Sequence, residues 1–433
     1  MKTRLGGAAA LLLFCLLPCP LRAAEEEFSF DMAAFEKKSL EWGGYVELKG
    51  EHSDINQDGV ASRLNLYREP RSTLDRFGTA LQLNGSLQRG ITTVNWVLQG
   101  SAAQDDLAWS DSAEVFEGYA SFEVSPSTTV DLGKKVFKWG KGYAWNPVGF
   151  IERPKDPNDP EEAMEGYIGV GLDLIRSFDG PLRTVALTTV ALPVWQGVNE
   201  DFGERDNLNF AAKLYLLFHD TDIDFLYYTG NSRSTRYGID FSRNLTTNLE
   251  LHGELAHTPR QTVRGLTADN TVTSSQVADT SWLIGLRYLT ENDLTTIVEY
   301  YHNDDGYTEA EQARFFDLVD TGVGQYETTG ATTLLDKAAS LGQLYSRPQT
   351  GRNYLYARLT QKEPFDILYL SPGITAIVNL DDQSHSISPE VVYTGFTNWE
   401  MRLRFSWLNG AEMSEYGEKQ NSNKLELRLR YFF

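Results

Sequence analysis

The last ten residues alternate strictly between two chemistries. Leu425, Leu427, Leu429, Tyr431 and Phe433 share one parity, and Lys424, Glu426, Arg428 and Arg430 share the other. Successive side chains of a strand point to opposite faces, so this is a strand with one apolar and one charged side. The pattern recurs upstream. Trp399, Met401, Leu403, Phe405 and Trp407 alternate with Glu400, Arg402, Arg404 and Ser406. Phe210, Ala212, Leu214, Leu216 and Phe218 repeat it, as do Leu249, Leu251, Gly253 and Leu255. The first such segment sets Leu40, Trp42, Gly44, Val46 and Leu48 against Glu41, Tyr45, Glu47 and Lys49. Aromatics at both ends of an apolar face, with aliphatics between, are what a lipid-facing band with interfacial girdles requires.

Eighteen segments carry this period, near 40–50, 76–88, 91–103, 113–124, 127–138, 166–177, 182–192, 207–219, 221–229, 234–244, 246–257, 279–290, 293–302, 352–361, 366–380, 385–396, 398–408 and 422–433. Most have the length a tilted strand needs to cross a bilayer. Every second connection is short, such as Gln88-Arg89-Gly90, Ser125-Pro126-Ser127 and His219-Asp220-Thr221. The others, 51–75, 104–112, 139–165, 193–206, 258–278, 303–351 and 409–421, are mostly long; 230–233 and 381–384 are the exceptions. Short turns at one end and long loops at the other are the layout of a transmembrane barrel with both termini inside. Only a closed sheet pairs every backbone group in lipid, and closure removes the edges that would aggregate. The expected fold is therefore all-β: an antiparallel transmembrane barrel of about 18 strands, within 16–18, over residues 40–433.

The N-terminus points to export. Lys2 and Arg4 precede the apolar run Ala8 to Leu17, and Ala23 offers a small residue for cleavage, giving a signal peptide over 1–23 and a short periplasmic segment over 24–39. Both cysteines, Cys15 and Cys19, lie in the removed part, so the exported chain has no disulfide. Acidic residues outnumber basic ones 60 to 39, which excludes a nucleic-acid binder needing a basic face. Beyond the N-terminus no apolar run is long enough for a membrane helix.

The terminal strand ending on Phe433, together with the export signal, resembles the last strand of Gram-negative outer-membrane β-barrels, which their assembly machinery reads. The pattern along nearly the whole exported chain resembles the porins, without identifying a subfamily. The resemblance implies an outer-membrane location, lipid and the assembly machinery as partners, and passive diffusion of small hydrophilic solutes. It leaves room for a homo-trimer.

The inward half of each strand is where selectivity would reside. Lys213, Arg236, Arg287, Arg358, Arg402, Arg404, Arg428 and Arg430 are expected on the lumenal side, mostly from the second half of the chain. Glu117, Glu123, Asp131 and Asp173 are expected opposite. Facing walls of opposite charge would set up a transverse field across the channel; pairing along the wall, such as Arg402 or Arg404 with Glu426, is the alternative. The third outer loop is the most distinctive, with Trp139, Lys141, Tyr143, Trp145, Asn146 and Arg153 among its glycines and prolines. In porins the third loop commonly folds inward and makes the constriction, and by position these residues would do so here. In 303–351, Ala313, Phe316 and Val319, then Leu334, Leu335, Ala338 and Leu341, fit two short amphipathic helices that bury each other.

Asp54, Asn56 and Asp58 before Gly59 match the opening of a calcium loop, although Asn65 stands where the last carboxylate belongs. An oxygen-rich turn without metal is the plainer reading. Enzyme signatures are missing from the sequence, and His252 is the one strand histidine that suits a wall-mounted hydrolase. The expectation is no enzyme and no cofactor beyond a weakly bound calcium. The rival function is a barrel that sheathes a periplasmic multihaem cytochrome or exports an anionic polymer.

Overall fold

The computed structural model describes residues 39–267, 269–345 and 349–433. The expected signal peptide and nearly all of the 24–39 segment lie outside them. Eighteen antiparallel strands form one closed sheet: β1 (Leu40–Ile55), β2 (Thr73–Arg89), β3 (Thr92–Asp105), β4 (Trp109–Ser125), β5 (Thr128–Lys135), β6 (Tyr167–Ser177), β7 (Leu182–Val194), β8 (Asn207–Phe218), β9 (Thr221–Thr229), β10 (Arg236–Thr246), β11 (Leu249–Leu266), β12 (Val272–Leu289), β13 (Leu294–His302), β14 (Asn353–Gln361), β15 (Leu370–Asn379), β16 (His385–Tyr393), β17 (Trp399–Asn409) and β18 (Asn421–Phe432). Each strand pairs with its sequence neighbour, and β1 pairs with β18 to close the ring. Among the described residues, three α-helices, α1 (Val60–Leu66), α2 (Glu309–Thr329) and α3 (Thr333–Tyr345), stand in the outer loops.

The alternation sorts the molecule inside out. Leu403, Phe405, Leu425 and Leu427 are exposed on the outer wall, whereas Arg402, Arg404, Glu426 and Arg428 between them are buried inside. Aromatic pairs on the outer face, Tyr227 with Tyr237, Trp282 with Tyr300 and Trp399 with Tyr431, lie 5.0–5.3 Å apart. They are amphipathic rings of the kind that settle at a membrane–water boundary.

All eighteen expected segments are strands, but several ends differ. The segment 258–278, expected as a loop, is mostly sheet: β11 runs on to Leu266 and β12 starts at Val272. Pro259 cannot donate to a ladder, and the sheet absorbs it in a bulge between Thr258 and Gln261. β1 likewise runs on to Ile55, and β2 starts at Thr73. At β5 the error runs the other way. The strand stops at Lys135, because the Val136 N–H donates to the Glu117 carboxylate at 2.8 Å instead of to a strand neighbour. The third loop is therefore 136–166.

The long outer loop forms α2 and α3, the first longer than expected at 21 residues. Thr308 caps α2 reciprocally with Glu311, and Gly330 ends it in the left-handed conformation. Phe315, Phe316, Val319, Leu335, Ala338 and Leu341 bury one another together with Val60 of α1 and Leu266 of β11.

Candidate functional site: the third loop between two charged inner walls

The third loop reaches deep into the barrel, and buried carboxylates on the wall hold it there. Glu254 of β11 and Glu299 of β13 share the inward parity with Asp240 of β10 and Asp224 of β9. Glu254 Oε1 accepts the N–H groups of Lys141 and Gly142 at 2.5 and 2.6 Å, and Oε2 that of Val148 at 3.3 Å. Glu299 accepts the N–H groups of Tyr143 and Ala144 at 2.6 and 2.9 Å and contacts His252 Nε2 at 2.9 Å. Five loop amides thus rest on two wall carboxylates. A carboxylate is acceptor-only and forms its strongest bonds with such donors when water is excluded.

The glycines of Trp139-Gly140-Lys141-Gly142 make this approach possible. Gly140 has φ +94°, and a Cβ there would overlap Asn146 Oδ1 and lie 2.6 Å from Glu254 Oε1. Side chains complete the dock. Trp145 stacks on Tyr301 at 5.1 Å and meets Tyr354 and Tyr356 at 5.9 and 5.8 Å. Trp139, Val148, Phe150 and Ile151 bury against Val190 and Leu192 of β7 and Leu226 and Tyr228 of β9. Lys141 Nζ lies 2.8 Å from Asp224 and 3.9 Å from Asp240.

The loop's return arm meets the other side of the barrel. Asp159 Oδ2 accepts from Arg402 Nη1 of β17 at 2.8 Å and Arg428 Nη1 of β18 at 3.1 Å. The wall around it is basic. Glu390 of β16 is shared by Arg358, Arg402 and Arg404 at 2.8–3.1 Å, and Arg430 binds Glu47 of β1 at 2.5 Å. Within the wall, Arg402 and Arg404 thus share Glu390, and Arg402 also reaches Asp159 of the loop. Glu426, the partner considered from the sequence, instead takes Lys49 and Lys424 at 3.4 and 3.6 Å. Among the loop's own groups, burial pushes the Glu152 carboxyl up to about 8, against the opposing pull of the Trp139 N–H and Lys155.

The expected lumenal residues all carry inward parity, but they do not form one constellation. Asp131 pairs with Lys135 and accepts from Ser121 at 2.5 Å, and Asp173 accepts from Thr188. Glu117 holds the start of the third loop, and Glu123 lies near the short-turn end of β4. Lys213 shares the inward face of β8 with Ala211. Arg287 sits 3.9 Å from Glu250, with its guanidinium 5.9 Å from the Tyr143 ring. Arg153 joins Glu165 at 2.8 Å and also pairs with Asp201. Sequence reasoning missed the acidic group that anchors the loop: Asp224, Asp240, Glu254 and Glu299. Their parity against Phe225, Ile239, Leu255 and Val298 marks them as inward, and that was the available signal.

On the external side of the loop lies a cavity of about 360 Å³, bounded by Asn146, Arg153 and Lys155 of the loop, Arg236 and Asp279 of the wall, and Asn303 above. Of the calcium-like residues, Asp54 sits in β1 beside Asn423, and Asn56 donates its amide to the Gly417 carbonyl at 2.7 Å. The turn so formed leads into α1. No group of three or more acidic, histidine or cysteine side chains poised for a metal occurs among the described residues.

No protein-family model matches the chain, and no curated protein sequence matches it significantly. Solved structures do. The chain is similar to OccK8 (OprE) of Pseudomonas aeruginosa, with TM-score 0.54 at 10% identity over 90% of this chain and 98% of that one. It is similar to the outer membrane protein OprD of the same organism, with TM-score 0.51 at 10% identity over 90% and 94%. Acinetobacter baumannii OccAB1 gives TM-score 0.51 at 12% identity over 91% and 96%. At these identities the likeness establishes the fold, a porin-like 18-stranded β-barrel, and no subfamily.

Proposed function

We propose that this protein is an outer-membrane channel for passive diffusion of small hydrophilic solutes, narrowed at mid-barrel by the 136–166 loop. One observation carries the reading: the barrel is polar and charged on its inside and apolar on its outside. Buried charge is costly unless paired or hydrated, so a chain that lines its interior this way is built around a water-filled path. Selectivity in this reading comes from the two walls, acidic at β9–β13 and arginine-rich at β14–β18, which the loop bridges through Lys141 and Asp159. Sharing the fold of outer-membrane channels supports the same reading.

Single-channel conductance of the refolded protein in a planar bilayer, with a salt gradient for the reversal potential, tests it. Steady ohmic steps are expected, and deleting 141–158 is expected to enlarge them. A folded barrel that stays silent in both forms would refute the channel. It would favour a scaffold that sheathes a cytochrome or exports a polymer.

A further inference from the structure

The connection between β14 and β15, residues 362–369, is the longest at the short-turn end of the barrel; the others there hold two to five residues. It reads Lys-Glu-Pro-Phe-Asp-Ile-Leu-Tyr. Phe365 is 94% exposed, Leu368 61% and Ile367 48%, and Phe365 is the most exposed large apolar side chain among the described residues. Single exposed apolar residues are ordinary, but a run of them in one turn marks a contact surface. The backbone is bent to present them. Glu363, Phe365, Asp366 and Tyr369 have φ of +47°, +58°, +59° and +65°, left-handed values that a bulky residue rarely adopts. Hydrogen bonds close the turn in this shape: the Glu363 N–H donates to the Leu370 carbonyl at 2.8 Å, and the Glu363 carboxylate accepts the Tyr369 N–H at 2.9 Å.

The register joins the turn to the lipid-facing wall. Leu370 shares the parity of Ile374, which is exposed on the outer face of β15. Leu370 stands opposite Tyr393 of β16, and Tyr393 opposite Met401 of β17. The next outward position on β17 is Trp399, whose ring meets Tyr431 in one of the boundary pairs described above. The Tyr369 carbonyl accepts the Thr394 N–H at 3.1 Å, which sets the turn beside the connection that carries the exposed Phe396. The apolar surface of the wall therefore continues past the strand ends onto this turn.

We propose that the 362–369 turn is a membrane anchor that rests in the periplasmic leaflet, with Phe365, Ile367 and Leu368 among phospholipid acyl chains and Lys362, Glu363 and Asp366 at the headgroups. Apolar surface held in water is unfavourable, and lipid is present wherever the barrel is, so the turn is covered without waiting for a protein partner. A second copy of the chain fits less well. Stable protein interfaces bury about 1,200–2,000 Å² in total, and one turn with three exposed apolar side chains supplies a fraction of that. The anchor lies beyond the channel reading and does not depend on conduction. It fixes the periplasmic end of β14 and β15 against the bilayer.

The test is nitroxide accessibility in phospholipid vesicles, on full-length protein carrying Cys15→Ser and Cys19→Ser. Single labels are placed through Phe365→Cys and Leu368→Cys. Leu403→Cys on the outer wall is the lipid reference, and Asp179→Cys in the exposed β6–β7 turn is the aqueous one. Labels at 365 and 368 are expected to collide with oxygen as readily as the label at 403. They are expected to meet a polar nickel chelate about tenfold less often than the label at 179, because hydrocarbon excludes the chelate. If the label at 365 disturbs the turn, the label at 368 gives the same readout alone. Chelate collisions as frequent as those at 179 would overturn the proposal. Protection from both reagents, which a protein partner or a second copy would produce, would overturn it as well.

Discussion

Replacing Glu254 by alanine would release the tip of the third loop. The side chain is 4% exposed and accepts three loop amides, from Lys141, Gly142 and Val148. A hydrogen bond to a charged group contributes roughly 1.5–3 kcal/mol, and a buried donor left without a partner costs about 1–3 kcal/mol. Removing the carboxylate also removes its own desolvation cost, which offsets part of the loss. Three such bonds, less that offset, leave a net loss of about 3 kcal/mol. At about 1.4 kcal/mol per tenfold, the docked state of residues 140–148 should lose a factor of about 100 or more in population. Trypsin reads this directly. Lys141 and Lys155 lie in the loop and are protected while it is docked, whereas the Arg153–Pro154 bond resists cleavage in any state. The parent barrel should stay intact at these sites, and Glu254→Ala should be nicked at both, with larger and noisier conductance steps. Full protection and unchanged conductance in Glu254→Ala would refute the reasoning, because Glu299 and the hydrophobic dock of Trp145, Phe150 and Ile151 would then hold the loop without Glu254.

Further outcomes follow from the same geometry. Gly140→Ala is strained by the +94° φ and collides with Asn146 and Glu254, so it should reproduce the Glu254→Ala nicking pattern with wild-type barrel stability in heat-modifiability gels. Glu152 has a folded pKa of about 8, raised above its ordinary carboxylate value by burial. Its contribution to docking is full below the unfolded carboxylate range and fades as pH rises toward 8, so gating noise should increase from pH 5 to pH 8, and Glu152→Gln should flatten that dependence in bilayer recordings. Arg402→Glu combined with Arg430→Glu reverses two charges on the basic wall and should move the reversal potential toward cation preference. An unchanged potential would mean that these arginines do not face the conducting path.

The strands were legible because a strand in a barrel wall faces lipid on one side and polar contents on the other, so each reports its own orientation in two-residue steps. Where a local rule failed, a neighbour had overridden it. Pro259 looks like the end of β11, yet the partner strand β12 tolerates a bulge and the ladder resumes. Val136 looks like strand, yet Glu117 captures its N–H and turns the chain inward. The site was legible only in part. The Trp-Gly-Lys-Gly-Tyr-Ala-Trp run stands out as a loop unlike the others, but nothing local to Glu254, Glu299, Asp224 or Asp240 tells an anchoring carboxylate from any other inward acid.

The sequence by itself determined which residues enter the wall, which of their faces meets lipid, how many strands close the ring and which connections are long. Those are consequences of alternation and turn chemistry, which act between near neighbours along the chain. The tertiary structure alone decided where the third loop goes, that Glu254 and Glu299 receive its amides, that Glu390 rather than Glu426 neutralises Arg402 and Arg404, and that Asp159 bridges Arg402 and Arg428. Those contacts join residues more than a hundred positions apart, or strands whose side-chain reach the register alone does not set. Which buried charge finds which partner depends on the closed ring bringing them within a few ångströms of one another.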